Sequence, residues 1–219
     1  MSVSIQYFRE LYQNICIKAN VGNTITTDGF NQFVNQSVLQ LMSEDYQTFF
    51  QTKVVTNFLQ SFLTIGVPQA VPPLTGLIPY PPDLQYVSSA SHYYNGMKLD
   101  CELTDSVDWD KIQVPNSLEF PTARFTKYRQ INNGLEFAPK NIGIAYVNYF
   151  STPAQAKWGY TIVSNRQVYD PTTSVDIPCD TFNTNRLMAI FLQMIGVGLK
   201  DSEIAGFANE FTKETAVTA

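Results

Sequence analysis

A chain of 219 residues with 44% hydrophobic content can bury a substantial core of its own. Its 14 Lys+Arg against 19 Asp+Glu give a net charge of -5 and a pI near 4.8, which excludes the basic footprint of tight nucleic-acid binding. Cys16, Cys101 and Cys179 are odd in number and far apart, which argues against a disulfide framework or a zinc site and favours a reducing compartment.

Apolar residues Ile5, Phe8, Tyr12 and Ile15 recur at spacings of three and four, predicting an amphipathic helix over 4–19. Thr27-Asp28 can cap a second helix whose buried stripe is Phe30, Phe33, Val34, Val38, Leu41 and Met42. From Glu44 to Leu63 the helical spacing continues through Tyr46, Phe49, Phe50, Val54, Phe58 and Phe62, to be stopped by Gly66 and Pro68. Six prolines between Pro68 and Pro82 rule out a regular helix or a central strand there. Leu84, Val87, Ala90 and Tyr94 predict a short helix capped by Asp83 and ended by Asn95-Gly96.

Met97 to Leu103 alternates apolar and charged residues as a half-buried strand does. Thr104-Asp105-Ser106 offers caps for a short helix ended by Pro115, and strands are expected at 124–131, 135–138, 142–150 and 160–169. A helix from Asp180 or Thr181 would bury Phe182, Leu187, Ile190, Phe191 and Met194 and close at Gly196 and Gly198. Asp201-Ser202 would cap a last helix carrying Ile204, Phe207 and Phe211, with a frayed tail from Thr215. The order predicts an α+β protein: a bundle of N- and C-terminal helices with an inserted antiparallel sheet. Its expected parts are a helical 1–67, a Pro-rich arm and short helix over 68–96, a sheet over 97–179, and helices over 180–219 that pack on the first part.

The residues that could carry chemistry have simpler accounts. His92 is the only histidine, and without partners it reads as a packed or surface residue. Asp105, Asp108 and Asp110 lack the Gly and distal Glu of an EF-hand loop, and a helix N-terminus suffices to explain them. Arg124, Lys127, Arg129 and Lys140 lie among Phe125, Tyr128 and Phe137, but strand alternation divides them between two faces. Trp158, Tyr160, Tyr146, Tyr149 and Phe150 could stack on sugar rings or pack a small sheet. There is no Gly-rich phosphate loop, nucleophile elbow or CxxC pair. No catalytic, cofactor or metal site is therefore expected, and no run approaches the roughly 20 apolar residues of a membrane span. With 16 Asn and 15 Gln against 33 charged residues, the polar surface is largely uncharged, which suits extended interfaces or reflects compositional bias.

The series Asp83-Leu84-Gln85-Tyr86-Val87-Ser88-Ser89-Ala90, Asp108-Trp109-Asp110, Phe120-Pro121-Thr122 and Trp158-Gly159-Tyr160 resembles, in order and spacing, structural proteins of crAss-like short-tailed phages. Phe30-Asn31-Gln32-Phe33-Val34-Asn35 and the stretch Ile190 to Asp201 resemble theirs too. The resemblance spans 26–212 and is closest to the head-to-tail ring or adaptor proteins that dock beneath the portal. It implies a virion protein of the neck or tail, made in the host cytoplasm. It further implies a homo-oligomeric ring, commonly of twelve copies, that joins portal to adjacent ring or tail proteins. DNA would pass through its channel without sequence-specific binding, and no catalytic residue is implied. The expected contacts are Pro72, Pro73 and Pro81 of the arm, Asn132 and Asn133 of a sheet loop, and Trp158 and Tyr160. The alternative is a tail component that binds a receptor or carbohydrate through exposed Tyr and Trp.

Overall fold

In the computed structural model, residues 2–18, 25–114 and 118–198 are described. The chain order is α1 (Ile5–Lys18), α2 (Thr27–Thr52), α3 (Asn57–Gln60), β1 (Leu63–Ala70), β2 (Leu77–Pro79), β3 (Leu84–Tyr94) and β4 (Met97–Leu103). Then follow α4 (Ser106–Ile112), β5 (Lys127–Ile131), β6 (Gly134–Ala138), β7 (Ile144–Ser151), β8 (Tyr160–Val163), β9 (Arg166–Tyr169) and α5 (Thr184–Gly198). The predicted last helix at Asp201 lies outside the described residues.

The expected helical bundle with a small inserted sheet is not what forms. The largest element is a seven-stranded mixed sheet, ordered β1-β7-β3-β4-β5-β6-β2, in which only β4 and β5 run parallel. Together with α4 it makes one compact unit, Phe62–Thr152; the other consists of Met1–Ser61 and Pro153–Ala219.

Three local features replace expected helix by sheet. Leu84, Val87 and Ala90 have helical spacing, yet they lie on β3, where the pairing with β7 shifts between Leu84 and Tyr86 and again between Val87 and Ser89. Each shift inserts an unpaired residue, so positions three apart reach the same face and Val87 and Ala90 are both buried. Gly66 and Pro68, taken as helix stops, instead lie inside β1. That strand is at the edge of the sheet, where a missing N–H costs no ladder bond, and Gly66 at φ 70 falls in its bulge with β7. The Asn95-Gly96 pair, with φ of 50° and 78°, turns β3 directly into β4 instead of ending a helix.

The helices that do form follow their stripes. Thr26, one residue earlier than expected, caps α2 by accepting from the Gly29 N–H at 3.2 Å. Phe30, Val34, Val38, Leu41 and Met42 are buried along it, and Lys53 ends it in the left-handed conformation. Phe191 of α5 meets Phe8, Tyr12 and Phe30 edge-on, each at 5.4 Å between ring centres. The predicted start of α5 is early: Asp180 accepts from the Asn183 N–H at 2.8 Å, the helix begins at Thr184, and Phe182 is 86% exposed outside it.

Asp45, 3% exposed on α2, ties three elements. It accepts from Thr56 Oγ1 at 2.6 Å, the residue that caps α3, and from Arg186 of α5 at 2.9 Å. Asp45→Ala takes the acceptor from the Thr56 hydroxyl and the buried partner from Arg186, and is expected to lower unfolding stability by about 2 kcal/mol in urea titration. Glu44→Ala, which removes exposed contacts only, to the same arginine at 3.8 Å and to Gln40 at 3.0 Å, should change it by less than about 0.5 kcal/mol.

Candidate assembly site

On α2, Asn31 and Asn35 stand one helical turn apart, and both side-chain amides are spent on one extended segment. Asn35 accepts from the Ala156 N–H at 2.8 Å and donates to the Ala156 carbonyl at 2.9 Å. Asn31 does the same to Trp158, at 2.8 Å and 3.4 Å. The match is geometric: four residues of helix rise about 6 Å, and two residues of strand advance about 6.6 Å. Two side chains of a helix thus act as a neighbouring strand for positions 156 and 158.

Trp158 is fixed on every side. Its indole N–H donates to Gln6 Oε1 at 2.7 Å, and the Arg9 guanidinium sits 3.6 Å above its ring. Tyr160 and Tyr169 flank it at 5.8 Å and 5.9 Å. Arg9 also approaches Phe30 and Thr27, and burial lowers its pKa below the usual guanidinium range. Thr27 in turn donates to Gln167 of β9 at 2.6 Å. The β8–β9 hairpin is therefore secured to α1 at its base through Trp158 and to α2 through Gln167, one rung from its turn.

Apart from the Gln167 tether, the outer part of the hairpin is exposed. Every residue of β8 is exposed, and so are Arg166 to Val168 of β9. Ile162, Val163 and Val168 are 71%, 54% and 46% exposed. Ser164 and Asn165, with φ of 49° and 61°, make the tight turn that the right-handed twist of a hairpin favours.

In the seven-stranded sheet the expected chemistry is absorbed into packing. Lys127 pairs with Glu102 and Arg129 with Glu136, at 3.5 Å and 2.7 Å. Arg129 also covers the buried Trp109, 4.9 Å from its ring. Asp105 caps α4 and Asp108 pairs with Lys111, and among the described residues no cluster of three His, Cys, Asp or Glu could hold a metal ion. His92 lies on β3, not on a helix. It is buried, with Nε2 at 2.8 Å from Thr126 Oγ1. Cys101 and Cys179 are buried, which pushes both thiols up to about 12.

The expected contact residues separate into three places. Pro72 and Pro73 are exposed on the turn after β1, where Gly76 N–H closes on the Pro72 carbonyl at 2.7 Å and Leu74 protrudes, 88% exposed. Pro81 is half-buried and lies with the exposed Asn132 and Asn133 at one end of the β2–β6 pair. Tyr80 joins them there by donating to the Ile131 carbonyl at 2.8 Å. Trp158 is 5% exposed, a brace for the hairpin, while the adjacent Tyr160 is 36% exposed. Arg9, Asn31 and Asn35 were not singled out as site residues; an Asn pair at i, i+4 on a helix has meaning only once the segment it holds is known.

No protein-family model matches the chain, and no curated protein matches it.

Asn31→Ala leaves the Trp158 N–H and carbonyl without partners and should lower stability by about 2 kcal/mol. Limited proteolysis should then cut first within the hairpin region, 156–170. Unchanged stability and unchanged cleavage would show that the amide pairing contributes nothing.

Proposed function

We propose that this chain is a non-catalytic structural subunit that assembles into a cyclic ring, of the kind that joins portal to tail in short-tailed phages. The observation that carries the reading is the β8–β9 hairpin, held firmly at its base and exposed along its length with Ile162, Val163 and Val168 uncovered. Burying a tryptophan and committing Gln6, Arg9, Asn31 and Asn35 to hold an exposed apolar strand makes physical sense where another chain covers it.

A subunit that joins portal to tail also needs a surface for the adjacent component. Unit 62–152 supplies a candidate in Phe120, Phe125 and Leu118, which are 43%, 66% and 107% exposed around a cavity of about 300 Å³ edged by Glu102, Glu119 and Lys127. The phage setting, the portal and tail partners, the neck location and the twelve copies rest on the sequence resemblance. The acidic balance suits a channel through which DNA slides, and the pairing of Lys127 and Arg129 with carboxylates leaves that strand without a free cationic stripe. The carbohydrate-binding alternative would rest on open aromatic faces; of its five candidates Trp158, Tyr149 and Phe150 are buried, Tyr146 is half-buried and Tyr160 is exposed.

Mass photometry and negative-stain electron microscopy of the purified chain, alone and with the portal and tail proteins of its virion, test this. Closed rings of uniform copy number are expected. A chain that stays monomeric with every one of those partners present would end the ring reading, and a lumen lined by Lys and Arg would end the sliding-channel part of it.

A further inference from the structure

The edge that α2 closes at Ala156 and Trp158 does not end there. Gly159 accepts from the Asp170 N–H at 3.0 Å, and the two-residue turn pairs Val163 with Arg166. That parity turns Gly159, Thr161 and Val163 towards β9 and aims the peptide groups of Tyr160 and Ile162 outwards, on the side where Asn35 and Asn31 meet 156 and 158. On β9 the outward groups are those of Gln167 and Tyr169. Among the described residues, none of these four N–H groups has a hydrogen-bond partner.

The two outermost strands of the larger sheet are guarded. β1 carries Pro68 and a bulge, and β2 is three residues long and ends in Pro79. The hairpin has no such guard: Tyr160-Thr161-Ile162-Val163 is uncharged, free of proline, and made of strand-forming residues. A two-stranded ribbon is also short of the three strands that stand independently in water.

We infer that β8 pairs antiparallel with β9 of a second copy, so that the hairpins of neighbouring subunits form one continuous sheet; the inference rests on the ring reading and names its contact. The open groups of β8 and β9 lie in the same two rows, Tyr160 with Tyr169 and Ile162 with Gln167. A neighbouring hairpin in the same orientation therefore repeats these rows across the junction without a change of register, and places no like charges opposite one another. The same register sets Pro171 of the arriving copy against Trp158. There α2 already occupies the edge and the arriving chain, lacking an N–H, leaves the strand. Each copy uses β8 on one side and β9 on the other, the heterologous pairing that closes a ring.

Across that junction Thr161 and Val168 of adjacent copies form the close, non-hydrogen-bonded pair. An equimolar mixture of Thr161→Cys and Val168→Cys full-length chains, assembled as above and oxidised, should give a covalent dimer, while either variant alone should not. The native thiols, buried and held far above neutral pKa at Cys101 and Cys179, stay silent. Ile162→Pro removes an outward N–H that the hairpin itself does not use, and should abolish the cross-link while leaving the circular dichroism spectrum and melting of the monomer unchanged. Rings that form without the cross-link would overturn this contact and leave the ring reading standing. Cross-linking by Thr161→Cys alone would overturn it in favour of a twofold pairing of β8 with β8. Absence of both rings and cross-link would remove both.

Discussion

The pairing of Asn31 and Asn35 with the peptide groups of Ala156 and Trp158 is the constraint on which the unit formed by 1–61 and 153–219 depends. Backbone polar groups in a half-buried extended segment must find partners. On one edge Lys157 exchanges both peptide hydrogen bonds with Val175, at 2.9 Å and 2.8 Å; on the other edge a helix supplies the partners through two amides at matching pitch. Once those four bonds are made, Trp158 has one position. Arg9, Gln6, Tyr160 and Tyr169 gather on it, and the direction in which the hairpin leaves is set.

The same interaction explains why the edge is open where it is. α2 starts at Thr27, four residues before Asn31, and the Thr27 hydroxyl is committed to Gln167. The ladder of side chains therefore ends with the helix, and the strand continues two rungs further. What distinguishes this edge from β1 and β2 is the absence of proline and of a bulge, devices that elsewhere in the chain discourage pairing with another molecule.

Much of the helical part was legible in the sequence. The stripes of α1 and α2 and the apolar side of α5 follow the 3.6-residue period, and Thr26, Thr56 and Asp105 occupy caps of the expected chemistry. Met97–Leu103 and the strands between Lys127 and Ser151 were legible from alternation and turn residues. What was not legible has a physical reason. Two bulges on β3 convert a strand's period of two into local spacings of three, which counting alone assigns to a helix. Pro68 and Pro79 mark strand edges instead of a Pro-rich arm, a distinction that depends on which strand is outermost. At the site, Trp158 and Tyr160 were visible as aromatics, but which of them packs and which remains open depends on Arg9 and Asn31, more than 120 residues away in the chain.

The central claim is that one continuous strand edge is half closed by α2 and half left for a neighbouring copy. Amide hydrogen exchange, read residue by residue in the free chain and in the assembled particle, tests it most directly. The amides of Ala156 and Trp158 should exchange slowly in both states, whereas those of Tyr160 and Ile162 should exchange rapidly in the free chain and become protected only on assembly. Protection of Tyr160 and Ile162 in the free chain, or rapid exchange that persists in the assembled particle, would contradict the account.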